Sequence, residues 1–440
     1  MTFMTAFQHQ STRTRVVCRA DAVLDLPDEL RKLQVRRPLL LTSARMSRTP
    51  LFGQLRSLLA DFQVTEVADI PAHSSVATVQ RLAALALAHQ ADGFVCLGGG
   101  SVCDSAKATA LVLAEGEPLA QHASRFIPPA QVITPNFVRE KLPIVAIPMT
   151  ASGAEVTPSL GIRTEHGTKL LFWDAALASR VILIDPQANL HMPDKVMQAT
   201  AMNGLAHCIE GLYSKNRSPV TDALAVAGLC GFDRAMRAVA QHPQDVAARS
   251  EMLVAAHVSG MVLASARSCL HHALCHVLGA TCGIGHGEAN AVILPHALRF
   301  NAPAVPEAMQ RMAQALGLST QAATPTEAVL DWLLDLQRVT GVPTRLRDVG
   351  VAQASLRGVA EHVLHERGLA YNPRVVTSAQ EMQDLLNKYG VDAIERGHKR
   401  CKLFRAVKFW APVSRAWICR SLCHLSNLSR SSKRSGASAC

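Results

Sequence analysis

Asn203 and His207 stand four residues apart, and so do His272 and His276, so each pair shares one face if its segment is helical. His271 adjoins the second pair. His286 follows in Gly285-His286-Gly287-Glu288, which reads as a turn ahead of the apolar run 291–295. A lone histidine is most often a satisfied core or surface residue. His207, His272, His276 and His286, on two predicted helices and a glycine turn, point instead to one shared site. Two chemistries fit it. Neutral imidazoles can ligate a divalent metal. Protonated or hydrogen-bonding ones can hold a carboxylate or deliver a proton. Lys169, after Gly167 and Thr168, could hold a substrate carboxylate, and a solvated lysine fits that spacing equally well.

A second chemistry-bearing motif is Gly98-Gly99-Gly100-Ser101, continuing through Asp104 to Lys107. It follows an apolar run and opens a helical one. Its glycines would let the backbone approach a ligand and adopt positive φ, with Ser101 as the N-cap. The helix N-terminus would then present free N–H groups to a pyrophosphate. The motif is not the usual G-x-G-x-x-G fingerprint. The small, polar loop 148–157, which carries Thr150 and Ser152, also follows a strand-like run and suits a cofactor or substrate. The first strand leads into Thr42-Ser43-Ala44-Arg45, where an NAD-specific fold often carries a carboxylate for the ribose. With Arg45 there instead, use of both NADH and NADPH is expected.

These residues need a scaffold. Apolar runs at 38–42, 64–70, 93–97 and 142–147 alternate with helical periodicity at 50–62, 75–90 and 101–113, which predicts a parallel sheet covered by helices. Beyond about residue 190 the pattern turns all-helical, at 194–213, 219–240 and 247–266. The expected organisation is a Rossmann-like α/β dinucleotide-binding domain over 1–160, an all-α substrate and metal-site domain over 161–392, and a basic, disordered tail over 393–440. A linker is expected near 157–190.

Composition limits the function classes. No secretory signal is expected at the N-terminus, and no apolar run reaches the length of a membrane span; the longest candidate, 223–232, is too short. The 12 cysteines are irregularly spaced and read as reduced, and Cys419, Cys423, His424 and Cys440 do not form a zinc spacing. The net charge is +11, but ten Lys and Arg follow Arg396 with no acidic residue among them, and removing those ten leaves +1. The basic pI therefore comes from the tail and gives no reason to expect nucleic-acid binding by the body. The tail, with Phe404, Trp410 and Trp417, reads as a disordered appendage or as a basic amphipathic anchor.

The glycine loop 98–107, the loop 148–157, the Asn203–His207–Glu210 helix and the His272–Leu278–His286 segment follow one another in an order that resembles the iron-containing alcohol dehydrogenases, over roughly residues 15–392. That resemblance implies a dehydroquinate synthase-like architecture, a nicotinamide cofactor, and metal-ligand positions falling on Asn203, His207, His272 and His286. His276 would lie near the nicotinamide and substrate. The family's usual Asp is Asn203 here, which removes the anionic ligand and also removes repulsion toward a dianionic substrate. The segments 202–213, 270–279 and 286–290 resemble the maleylacetate reductase branch. This implies NAD(P)H-dependent reduction of a small dicarboxylate, maleylacetate, to 3-oxoadipate in aromatic compound degradation, with no divalent metal expected although the imidazoles leave room for one. It also implies a cytoplasmic homodimer with no nucleic-acid or membrane partner. Competing readings are an iron- or zinc-dependent alcohol dehydrogenase, a lyase resembling dehydroquinate synthase, and a non-catalytic scaffold.

Overall fold

The computed structural model describes residues 6–7, 9–165 and 168–390. The chain partitions into one compact unit, Met1–Ala393, and the segment Ile394–Cys440. The expected basic tail, with its cysteines and tryptophans, lies outside the described residues, as does Gly167.

The strands are β1 (Arg15–Cys18), β2 (Pro38–Thr42), β3 (Thr65–Val67), β4 (Gly93–Gly98), β5 (Arg125–Ile127), β6 (Gln131–Ile133), β7 (Ile144–Pro148), β8 (Ser159–Arg163), β9 (Lys169–Trp173) and β10 (Val181–Ile184). Six of them form one parallel sheet in the order β1-β10-β7-β4-β2-β3. β2 and β4 are buried along their whole length. Helices cover both sheet faces, so these strands are continuous apolar runs rather than alternating ones. The helices of this half are α1 (Leu26–Lys32), α2 (Pro50–Leu58), α3 (Val76–Ala88) and α4 (Gly100–Glu115). In α3 the residues Val79, Leu82, Ala83 and Ala86 recur on one face and are buried. Ser75 caps it by accepting from the Thr78 N–H at 3.2 Å.

The sheet does not end at the boundary expected at 160. The segment read as a linker folds into the antiparallel ribbon β8–β9 and then β10, which pairs in parallel with both β1 and β7. The sheet therefore closes at Ile184. β8 and β9 are five residues each, and β10 is four, too short to stand out as strands against the turn residues around them.

The second half is all helical: α5 (Pro186–Asn189), α6 (Asp194–Gly211), α7 (Pro219–Gln241), α8 (Val246–Ala266), α9 (Leu270–Cys282), α10 (His286–Asn301), α11 (Pro306–Ala315), α12 (Pro325–Thr340), α13 (Leu356–Val363) and α14 (Ala379–Gly390). α6 packs against α7, α8 and α10. α8, rather than 223–232, is long and apolar enough to cross a membrane by length and composition, but half of it is buried against the protein. One continuous core joins the halves, from Val95, Ile147 and Ile182 in the sheet to Leu205, Phe232 and Val262 in the helices. A second core forms between α9, α10, α13 and α14 around Leu274, Ile293, Val359 and Leu385. All cysteines among the described residues are free thiols.

Candidate active site

α6 is buried on nearly every side from Met197 to Gly211, so its polar residues are polar inside the protein. Asn203, His207 and Glu210 recur at four and three residues and share a face. α9 supplies His271, His272 and His276. His286 is the first residue of α10, not part of a preceding turn. Gly285 caps that helix, and its N–H donates to Glu288 Oε2 at 3.1 Å. The two glycines flanking His286 concealed the helix start.

The structure brings Asn203, His207, His272, His276 and His286 together. His272 is central. Its ring stacks on His207 with centroids 4.8 Å apart, meets the edge of His271 at 4.9 Å, and lies 6.2 Å from both His276 and His286. His276 and His286 stack at 5.8 Å. His272 Nδ1 contacts Glu210 Oε2 at 2.6 Å, and its Nε2 contacts Asn203 Oδ1 at 3.0 Å. Glu210 Oε1 accepts from the His271 N–H at 2.9 Å. This end of the cluster is closed. The other end is open: His276 and His286 are half-buried. His276 Nδ1 meets Glu366 Oε2 at 3.2 Å. Its Nε2, like both nitrogens of His286, makes no hydrogen bond to a described residue.

Burial pushes the pKa of His207, His272, His276 and His286 down, and neighbouring imidazoles or Lys169 push the same way. The free site therefore holds neutral rings. Glu366 opposes the shift at His276. Burial lowers Lys169, against Asp104 and Glu366, and raises Asp104 and Glu210.

For a divalent metal at the family's ligand positions, the donor set is three imidazoles and an amide. Two of its atoms, Asn203 Oδ1 and His272 Nε2, bond each other. The nearby carboxylate, Glu210, is committed to the opposite nitrogen of His272. The described group closest to metal-ligand spacing, Glu210 with His271 and His272, is the same closed hydrogen-bonded set. Relative to the family's set these residues lose the anionic ligand, which lowers affinity for a divalent metal, while the three imidazoles remain as possible ligands.

The two loops leave the sheet side by side, with Gly98 opposite Pro148 in β4 and β7, and the Met149 N–H donates to Gly98 O at 2.9 Å. None of Gly98, Gly99 and Gly100 has positive φ. They are needed for close packing instead: a Cβ on Gly98 would stand 2.7 Å from Val102, and one on Gly99 2.8 Å from Thr150. Gly99, not Ser101, is the N-cap of α4, and Ser101 Oγ donates to Ala72 O. Thr150 and Ser152 bond each other at 3.2 Å. The loop reaches the histidine cluster through Ser152 O, which accepts from Asn203 Nδ2 at 3.4 Å. It also presses on α8: a Cβ on Gly153 would lie 2.5 Å from Ala256 O, and one on Gly260 2.6 Å from Gly153 O.

Three residues expected to hold the cofactor are turned elsewhere. Thr42 is fully buried and donates to Leu97 O at 2.8 Å. Lys107 is fully buried, and its Nζ donates to Ala154 O at 2.5 Å and Thr157 O at 2.7 Å, clamping the second loop from behind. Asp104 Oδ2 accepts from the Gly161 N–H at 3.1 Å, beside Lys169. Lys169 lies on β9, its chain laid across Gly161, where a Cβ would come within 2.2 Å of its Cε. Glu366 was missed by the sequence because only the fold brings it to His276.

Residues 13–186 match the family model described as iron-containing alcohol dehydrogenase, and residues 197–390 match that of the Fe-containing alcohol dehydrogenase family, C-terminal. A maleylacetate reductase from Pseudomonas knackmussii is 32% identical over 361 residues, covering 82% of this chain and 92% of that protein. A putative alcohol dehydrogenase from Ralstonia eutropha JMP134 superposes with a TM-score of 0.75 at 30% identity, covering 88% of this chain and 98% of the other. The maleylacetate reductase of Agrobacterium tumefaciens gives 0.73 at 27% identity, covering 88% and 99%. The family takes its name from a metal, so the match itself lends no support to the expectation that none is bound.

Proposed function

The chain belongs to the iron-containing alcohol dehydrogenase family and is an oxidoreductase, and from that premise we propose that it reduces maleylacetate to 3-oxoadipate with NADH or NADPH. The observation that carries the proposal is the open end of the histidine cluster. His276 and His286 present free ring nitrogens next to Lys169, at the rim of a site whose family carboxylate is an amide. The site therefore lacks the family's ligand carboxylate, whose charge would repel a dianion.

The N-terminus of α4 and the Gly98–Gly100 turn, with Ser101, Thr150 and Ser152, would hold the pyrophosphate. When bound, a reduced nicotinamide would supply a hydride, which the carbon β to the substrate ketone would accept through the conjugated double bond. The electron pair of that bond moves to the ketone oxygen as an enolate. The site's imidazoles and Lys169 stabilise this oxygen. A proton then goes to the carbon next to the ketone, so that NAD(P)H and one proton yield NAD(P)+ and 3-oxoadipate. His276 delivers this proton after taking it from solvent: its Nε2 is free to receive it, and Glu366 on its other nitrogen works against the fall in its pKa. Asn203 holds His272 in place through the 3.0 Å contact to its Nε2, and the proposed course routes no step through a metal. A homodimer and a cytoplasmic location complete the proposal.

Loss of reduced-nicotinamide absorbance with maleylacetate, beside simple alcohols run with NAD+, tests substrate class. Turnover of alcohols alone would reject the proposal. The family name and the match to a putative alcohol dehydrogenase favour one second reading, a metal-assisted alcohol dehydrogenase. Stoichiometric iron or zinc, lost together with activity on chelation, would establish it.

A further inference from the structure

β9 puts Lys169, Leu171 and Trp173 on one face of the β8–β9 ribbon. The Lys169 chain, lying over Gly161 opposite Leu171, runs along that face toward Trp173. Beyond it is a small cavity, about 40 Å³, lined among others by Trp173, Arg267, Ser268, Arg367 and Tyr371. That volume suits a carboxylate group or a few waters, not a whole six-carbon acid. The cavity is tied to the histidine cluster by chain continuity: Glu366 contacts His276, and Arg367 follows it.

Three groups of this cavity lack an ion-pair or hydrogen-bond partner among the described residues. Arg267 and Arg367 are both half-buried, yet neither forms an ion pair among the described residues. Arg267 lies over the Trp173 ring, 4.5 Å from its centroid. The Trp173 Nε1 is buried without an acceptor. The backbone adds an independent sign. Arg267 closes α8 at φ 67 and ψ 165, a conformation that favours glycine. An arginine held there is placed for its side chain. Burial lowers both guanidinium pKa values, that of Arg367 to about 10, with Arg267 pushing Arg367 the same way and Glu366 against.

We propose that Arg267, Arg367 and the Trp173 Nε1 form the subsite that receives the substrate carboxylate remote from the reacting double bond. This rests on the reading of the enzyme as a reductase of a small dicarboxylate. The planar guanidinium matches a carboxylate in a fork geometry that lysine cannot reproduce. Lys169 and the open imidazoles serve the reacting end, and the arginine pair fixes the length of acid accepted. The carboxylate supplies the acceptor for the indole N–H and the counter-charge for both cations.

The test measures binding without turnover. Adipate and hexanoate, of equal length but with two carboxylates and one, are titrated calorimetrically into the full-length protein loaded with NADH. The wild type should prefer adipate by at least about tenfold. R267Q and R367Q should each lose that preference while binding NADH as before, and R267K should recover part of it. W173F, which removes only the N–H, should weaken adipate alone. With maleylacetate the same variants should raise KM far more than they lower kcat. An adipate preference that survives in both R267Q and R367Q overturns the subsite, as does adipate binding indifferent to saturating inorganic phosphate that itself occupies the arginines. Should the wild type fail to turn over maleylacetate while the arginine-dependent preference holds, the reductase reading falls and the carboxylate subsite stands.

Discussion

Replacing Glu155 with glutamine should stabilise the protein at neutral and alkaline pH and leave it unchanged in acid. Glu155 is 3% exposed, within the second cofactor loop. Burial raises its pKa from 4.5 to about 7, against its own backbone N–H and Lys107. In the unfolded chain it ionises near the lower value. Between the two values the folded state holds more protons than the unfolded one, so stability falls as pH rises through that window and is level above it. A shift from 4.5 to about 7, at about 1.4 kcal/mol per unit, amounts to about 3 kcal/mol. Glutamine has nearly the same shape and cannot ionise. Urea unfolding followed by circular dichroism, at steps from about pH 4.5 to about pH 8, measures the difference. Wild type and E155Q should coincide at the acid end and diverge by up to about 3 kcal/mol in favour of the variant by about pH 8. A difference that does not vary with pH, or a wild type more stable than E155Q at alkaline pH, would refute the assignment of an uncompensated buried carboxyl.

Two shorter predictions concern the loops and the cluster. Lys107→Met leaves the buried carbonyls of Ala154 and Thr157 without their donor. It should cost about 2–4 kcal/mol in urea unfolding and weaken NADH binding measured by nicotinamide fluorescence. Asn203→Asp places an anion 3.0 Å from His272 Nε2. It should raise affinity for zinc or iron on the order of a hundredfold over wild type in metal analysis after equilibrium dialysis; equal uptake by both proteins would remove the amide's role.

The legible parts of the fold were those governed by local pattern. β2 and β4 stood out because strands buried on both faces are unbroken apolar runs, and α6 to α8 because each is a long stretch rich in Ala, Leu and Met. The histidine site was legible because i,i+4 spacing survives folding. What failed depends on direction and distance. Lys107 sits in the right motif, but its sequence position does not say that it turns inward to Ala154 O. Thr42 follows the first strand as a cofactor residue might, yet its hydroxyl bonds the neighbouring strand. In the β8–β9 ribbon β9 alternates imperfectly, and β8 contains Gly161, whose role as a bed for Lys169 exists only in three dimensions. Glu366 meets His276 at a sequence separation of 90, a pairing no spacing rule encodes.

The backbone crossing at Gly153 and Gly260 bears on how such chains can be recombined. A methyl group on either glycine collides with the main chain of the other half, so the nucleotide-holding loop and α8 are fitted to each other without any side chain to adjust. Chimeras that join the sheet half of one family member to the helical half of another should work when both parents keep that crossing bare. They should lose coenzyme retention when one parent fills it, even if every imidazole is intact.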